Sequence, residues 1–147
     1  MSRRRGRRRR PRFVPLSVID ELADAIDTAF GLVALYPHAH AVFVTDSEGA
    51  VRDMWVFRGQ RHTAEDAIGA GLEAATRVPD ARRAVLVSVM ENVDLLIPNE
   101  LEVEMWRSTV ARFAEAGLVL WEWVVASGTV VRSLAVTAET EPSWRRS

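Results

Sequence analysis

The run Ala84-Val85-Leu86-Val87-Ser88-Val89-Met90 constrains this chain's fold more than any other segment. A near-continuous apolar strand is covered on both faces, so it belongs in the middle of a layered α/β sheet and not in a half-solvated antiparallel one. A polar loop follows over residues 91–98. Asn99 then caps a helix over residues 99–116, with Glu102 at the capping-box position. Val103, Trp106, Val110 and Phe113 give that helix its apolar stripe, and Gly117 stops it. Residues 118–134 read as a hairpin turning at Ser127-Gly128. A strand followed by a helix and another strand implies a crossover connection.

Upstream, residues 16–36 carry Ile19, Leu22, Ala23, Ile26, Ala29, Phe30 and Val33 at helical spacing, with Ser17 as N-cap and Asp20 completing a capping box. Pro37 ends this helix. Residues 41–45 and 51–58 read as two strands joined by the turn Asp46-Ser47-Glu48-Gly49. Thr63 caps a second helix over residues 63–76, with Asp66 in its box. Gly69 and Gly71 each cost that helix about 1 kcal/mol against Ala, which close packing on the sheet would offset. The element order is α-β-β-α-β-α-β-β. It predicts an α/β fold with a mixed sheet flanked by helices, and it resembles the layered architecture of the cytidine deaminases. Residues 1–12 form an arm, 13–136 one domain and 137–147 a C-terminal tail. There is no internal repeat and no interdomain linker.

This order resembles the RadC-type JAB/MPN domain, preceded by one extra helix. Pro98-Asn99-Glu100-Leu101-Glu102 opens the ligand helix and Phe113-Ala114-Glu115-Ala116-Gly117 closes it. The resemblance covers about two-thirds of the chain. The opening helix-hairpin-helix is shared with roadblock-type α/β modules, which the Pro98-led helix and closing hairpin fit less well. In the JAB family the loop and helix start carry His-x-His-Pro, about seven residues, then Ser-x-x-Asp. Registered on Pro98-Asn99, the two ligand His positions are Val89 and Glu91, the Ser is Asn99 and the ligand Asp is Glu102. JAB chemistry needs two imidazoles and one carboxylate on zinc with an open water position. Valine binds no metal. Glu91 and Glu102, with Asp94 nearby, would favour magnesium or manganese over zinc. The bland reading of Glu102 is a helix cap. The resemblance therefore implies a catalytically inactive domain with no cofactor, since inactive members commonly serve as dimerisation partners. Its partner surface would be the loop residues Leu95, Leu96 and Ile97, where the family has a polar site, together with Trp121 and Trp123. The tryptophan pair is expected on one face of the hairpin, with Glu122 on the other; core packing is the alternative.

Charge divides the chain. Arg3, Arg4, Arg5, Arg7, Arg8, Arg9, Arg10 and Arg12 crowd the first twelve residues. From Phe13 onward, 11 basic residues face 20 acidic ones, a net charge of −9. The arm reads either as a salt-sensitive phosphate-binding segment, or as a solvated tail, or as a segment docking on an acidic protein face. It has no interleaved aromatic on which a single strand would stack. All basic residues are Arg, which reads as coding bias and weakens any argument from bidentate recognition.

Other chemistry finds little support. The chain has no cysteine, which excludes disulfides, thiolate zinc sites and cysteine nucleophiles. No Gly-x-Ser-x-Gly elbow surrounds a serine, and Gly69-Ala70-Gly71 lies inside a helix, not in a phosphate loop. His38 and His40 stand two apart, as a chelating pair on a strand would, but they read as a solvent-facing edge with His62 remote from them. Trp55 is expected on the first hairpin, and Trp144 in the tail hints at docking. The apolar run 14–19 is too short for a secretory signal, so a bacterial-type cytoplasmic location is expected. Three functions follow. The first is an inactive RadC/JAB-like protein-binding or scaffold module. The second is a nucleic-acid-associated protein using the arm. The third is a divergent metal-dependent hydrolase using Glu91, Asp94 and Glu102.

Overall fold

The computed structural model describes residues 13–91 and 100–137. The elements are α1 (Leu22–Leu35), β1 (Ala39–Thr45), β2 (Val51–Arg58), α2 (Ala64–Arg77), β3 (Arg83–Val89), α3 (Glu100–Glu115), β4 (Val119–Ser127), β5 (Val130–Ser133) and the single-turn α4 (Leu134–Thr137). They build an α/β fold on one five-stranded mixed sheet of order β2-β1-β3-β4-β5. Only β3 and β4, the pair spanned by the α3 crossover, are parallel; the other neighbours are antiparallel.

The apolar run at β3 is buried on both faces because helices cover both. Val85, Val87 and Val89 pack with Ala25, Ala29 and Leu32 of α1. Ala84 and Leu86 pack with Ile68 of α2 and with Trp106 and Phe113 of α3. The expected α3 stripe holds, with Thr109 also buried. Thr63 and Asp66 form the expected capping box of α2. Of the two α2 glycines only Gly71 is explained by packing. A Cβ there would lie 2.9 Å from both Phe113 and Val42, whereas one at Gly69 would meet nothing within 4 Å.

Three expectations need correction. First, α1 starts at Leu22, not at residue 16, and its box is Glu21 with Asp24, not Ser17 with Asp20. The Ser17 segment is drawn instead into a bridge with the hairpin turn, where Val51 N–H donates to the Ser17 carbonyl (2.9 Å) and Ile19 N–H to that of Gly49 (2.8 Å). The helix face rotates accordingly, and Phe30 and Ala23 are exposed. Second, β5 is four residues long, and residues 134–137 turn into α4, with the Ser133 hydroxyl accepting from Val136 N–H (3.2 Å). Third, the register of β4 slips against β3 where Ala84 pairs with Leu120 but Val85 with Glu122. Trp121 is the extra residue of a β-bulge, so the two-residue alternation is reset there. Trp121 packs in the α1 layer and Trp123 in the α2/α3 layer, not on one shared face.

Among the described residues no helix is long and apolar enough to cross a membrane.

Candidate functional site

In open α/β sheets ligands gather outside the carboxyl ends of the parallel strands. Here that edge is formed by Val89 of β3 and Ser127 of β4, and the chain enters α2 and α3 beside it. Strand register places one row of side chains across the whole sheet at this edge. Phe57 pairs with His40, His40 with Ser88, Ser88 with Val125 and Val125 with Arg132. The row faces the α2/α3 layer.

Its centre is a buried polar knot. His40 Nδ1 and the Ser88 hydroxyl are 2.9 Å apart, and Trp123 Nε1–H donates to the same hydroxyl at 3.1 Å. An indole N–H only donates, so the Ser88 oxygen accepts from Trp123, and the direction of the Ser88–His40 bond is set by the imidazole tautomer. Ser88 is thereby a buried tie between two elements. His40 is only 4% exposed, and burial pushes its pKa down to about 4, with His38 and His62 adding to the effect and Asp66 opposing it. A solvent-facing histidine edge is therefore incorrect, because β1 begins one residue before His40 and α2 covers it.

His62 is also not remote. The antiparallel hairpin returns β2 to the start of β1, so all three histidines share one end of the sheet. His38 Nε2–H donates to the His62 carbonyl (3.2 Å), and the His38 and His40 rings meet edge-on at 5.1 Å. His62 Nδ1–H donates to Asp66 (3.1 Å), whose carboxyl is held below the usual range by the Thr63 backbone N–H first and by His62 second. Among the described residues, no three His, Asp or Glu side chains converge to hold a metal ion.

The positions the JAB resemblance would make ligands are dispersed. Val89 is buried in the α1 layer. Glu91 is exposed and lines an open cleft of about 280 Å³ with Val33, Tyr36, Pro37, Met90 and Ser127. Glu102 lies on the opposite side of the sheet, where both its oxygens accept from Arg132 Nη2, at 2.6 and 2.8 Å. This pair is largely buried, and Arg132 Nε and Nη1 have no hydrogen-bond partner among the described residues. The donor set does not fit a JAB-type zinc centre. Asp94, Asn99, the loop residues Leu95, Leu96 and Ile97, and the eight arm arginines lie outside the described residues.

The tryptophan pair is buried, Trp121 at 8% and Trp123 at 2% exposure, so neither forms surface in this chain. Trp121 Nε1–H donates to the Asp20 carbonyl (3.0 Å), and the Arg83 guanidinium stacks on its ring at 3.7 Å. Exposed apolar side chains lie elsewhere, among them Phe30 on α1, Trp55 on β2, and Leu101 (66%) and Met105 (37%) one helical turn apart on α3. Sequence reasoning missed Arg132. The available signal was a lone Arg in an apolar strand, which needs a buried counter-charge.

No protein-family model matches the chain, and no curated protein is significantly similar to it in sequence.

Proposed function

We propose that this chain is a degenerate RadC/JAB-type domain acting as a protein-binding or scaffold module. The observation that carries the reading is the Glu102–Arg132 pair. The carboxylate at the position of the ligand Asp is already neutralised by a guanidinium, which supplies in place the positive charge a metal would bring. The strand position before it is a buried valine. A scaffold keeps its layers, caps and crossover while its chemical groups are replaced. Leu101 and Met105 are exposed on α3, which follows Leu95, Leu96 and Ile97 in the sequence. Exposed apolar side chains one turn apart on a helix support a protein contact there. Self-association through this side of α3 is the simplest form, in a cytoplasmic setting.

Sedimentation across a range of concentrations tests it. The expected result is a reversible dimer that Leu101→Glu with Met105→Glu returns to monomer. A chain that stays monomeric at every concentration would overturn the self-associating form.

A second reading keeps the arm as a nucleic-acid contact, favoured by the eight arginines in twelve residues. Deleting residues 1–12 should then abolish binding to duplex DNA and flatten its salt dependence. Unchanged affinity and slope would remove this reading.

A further inference from the structure

The open cleft of about 280 Å³ beside Glu91 lies outside the carboxyl ends of the parallel strands β3 and β4, where open α/β sheets collect ligands. Met90 and Glu91 follow β3 on one side of it, Ser127 ends β4 on another, and the end of α1 supplies Val33, Tyr36 and Pro37.

The polar groups that meet here are mostly acceptors. A helix leaves its last four carbonyls without intrahelical donors. Tyr36 N–H donates to the Leu32 carbonyl (2.8 Å). The next donor in line belongs to residue 37, which is proline and has no N–H, so the Val33 carbonyl lacks its helical partner. No backbone N–H among the described residues reaches the Ala34 or Leu35 carbonyl. This end of α1 is the negative pole of the helix, and no basic residue in its last turn offsets it. Glu91 adds a carboxylate that is exposed and has no ion pair among the described residues. Arg58 stacks on the Tyr36 ring at 5.5 Å and forms no ion pair with Glu91. The Tyr36 and Ser127 hydroxyls make no hydrogen bond among the described residues. Val33, Pro37 and Met90 give the cleft its apolar wall.

We propose that this cleft binds a primary ammonium group carried on a short apolar stem. Carbonyl and carboxylate oxygens accept and do not donate, so the ligand must be a donor, and Glu91 with the helix pole selects a cation. An ammonium is a compact charge whose donors can turn to separate acceptors, whereas a guanidinium is a flat fork suited to a single carboxylate. The stem lies along the apolar wall, as a lysine stem lies on a protein surface. This chain has no lysine, so none of its own side chains supplies the group. The source is a free small amine or the lysine side chain of a partner. The site is independent of any contact through α3.

Tyr36 is the chain's one tyrosine, so carbon-13 labelling of tyrosine reports on the cleft through a single ring. The full chain is titrated at constant ionic strength with n-butylammonium, with butyrate, which has a similar stem and the opposite charge, and with Nα-acetyl-lysine methylamide. n-Butylammonium should shift the Tyr36 ring resonances saturably and butyrate should not. Glu91→Gln, at an exposed position, should weaken the amine's affinity roughly fivefold, the effect of one exposed ion pair. The lysine amide separates the sources: affinity equal to that of n-butylammonium assigns a partner's lysine, and much weaker affinity assigns a free amine. Absence of a saturable shift with either amine would overturn the proposal. So would an equal response to butyrate, or an affinity that Glu91→Gln leaves unchanged.

Discussion

Protonating His40 should unlock the α2 side of the sheet. Its pKa is about 4 in the folded chain against 6.5 for a free histidine. The folded state therefore binds fewer protons than the unfolded one between these values. The histidine's contribution is complete above pH 6.5 and is lost as pH falls toward 4. The full interval corresponds to about 3 kcal/mol. Solvent screening at the ring edge reduces it to about half, or about 1 kcal/mol between pH 7 and pH 5. The carboxyls held low, Asp46 and Asp66, lose their contribution only below the ordinary carboxylate range, so they leave this window clear. The assay is urea unfolding of the wild type and His40→Asn at both pH values. Asparagine keeps a hydrogen-bonding group for Ser88 but does not titrate. The wild type should lose about 1 kcal/mol more than the variant, and its His40 ring resonances should titrate with a midpoint near 4. Equal losses in both proteins, or a midpoint near 6.5, would refute the burial argument.

Other substitutions separate the remaining contacts. Gly71→Ala should destabilise by about 1–3 kcal/mol, because its methyl meets Phe113 and Val42; Gly69→Ala should stabilise by up to about 1 kcal/mol, since it has open space and gains helix propensity. Thermal melts of the pair should move in opposite directions. Arg132→Leu alone should cost up to about 3 kcal/mol by removing the guanidinium from the part-buried Glu102 carboxylate, and adding Glu102→Leu should recover part of it; denaturant midpoints of the two variants decide this. Trp121→Phe removes the bond to the Asp20 carbonyl and weakens the Arg83 stack, and should cost about 1–2 kcal/mol by chemical denaturation.

The sequence showed the sheet class and most elements because those signals are local. The β3 run needed covering on both faces, and the Thr63 box fixed the start of α2 to the residue. Where local signals competed, tertiary contacts chose. Two acidic boxes stood at the start of α1, and the hairpin turn claimed the Ser17 backbone, leaving Glu21 as the cap. A single inserted residue in β4 has no composition signature, yet it sends Trp121 and Trp123 to opposite layers and turns Glu122 inward. The site was less legible for the same reason. His62 lies 22 residues from His40, and Arg132 lies 30 from Glu102. Only the hairpin return and the β4–β5 register bring these partners together.

The proposed function rests on Arg132 neutralising the carboxylate at the start of α3 in place of a metal ion. Elemental analysis of untagged full chain, with melting curves in added zinc, manganese and magnesium, tests it most directly. The expected result is less than stoichiometric metal and an unchanged melting temperature for the wild type. Stoichiometric metal that is lost in Glu102→Gln would contradict it.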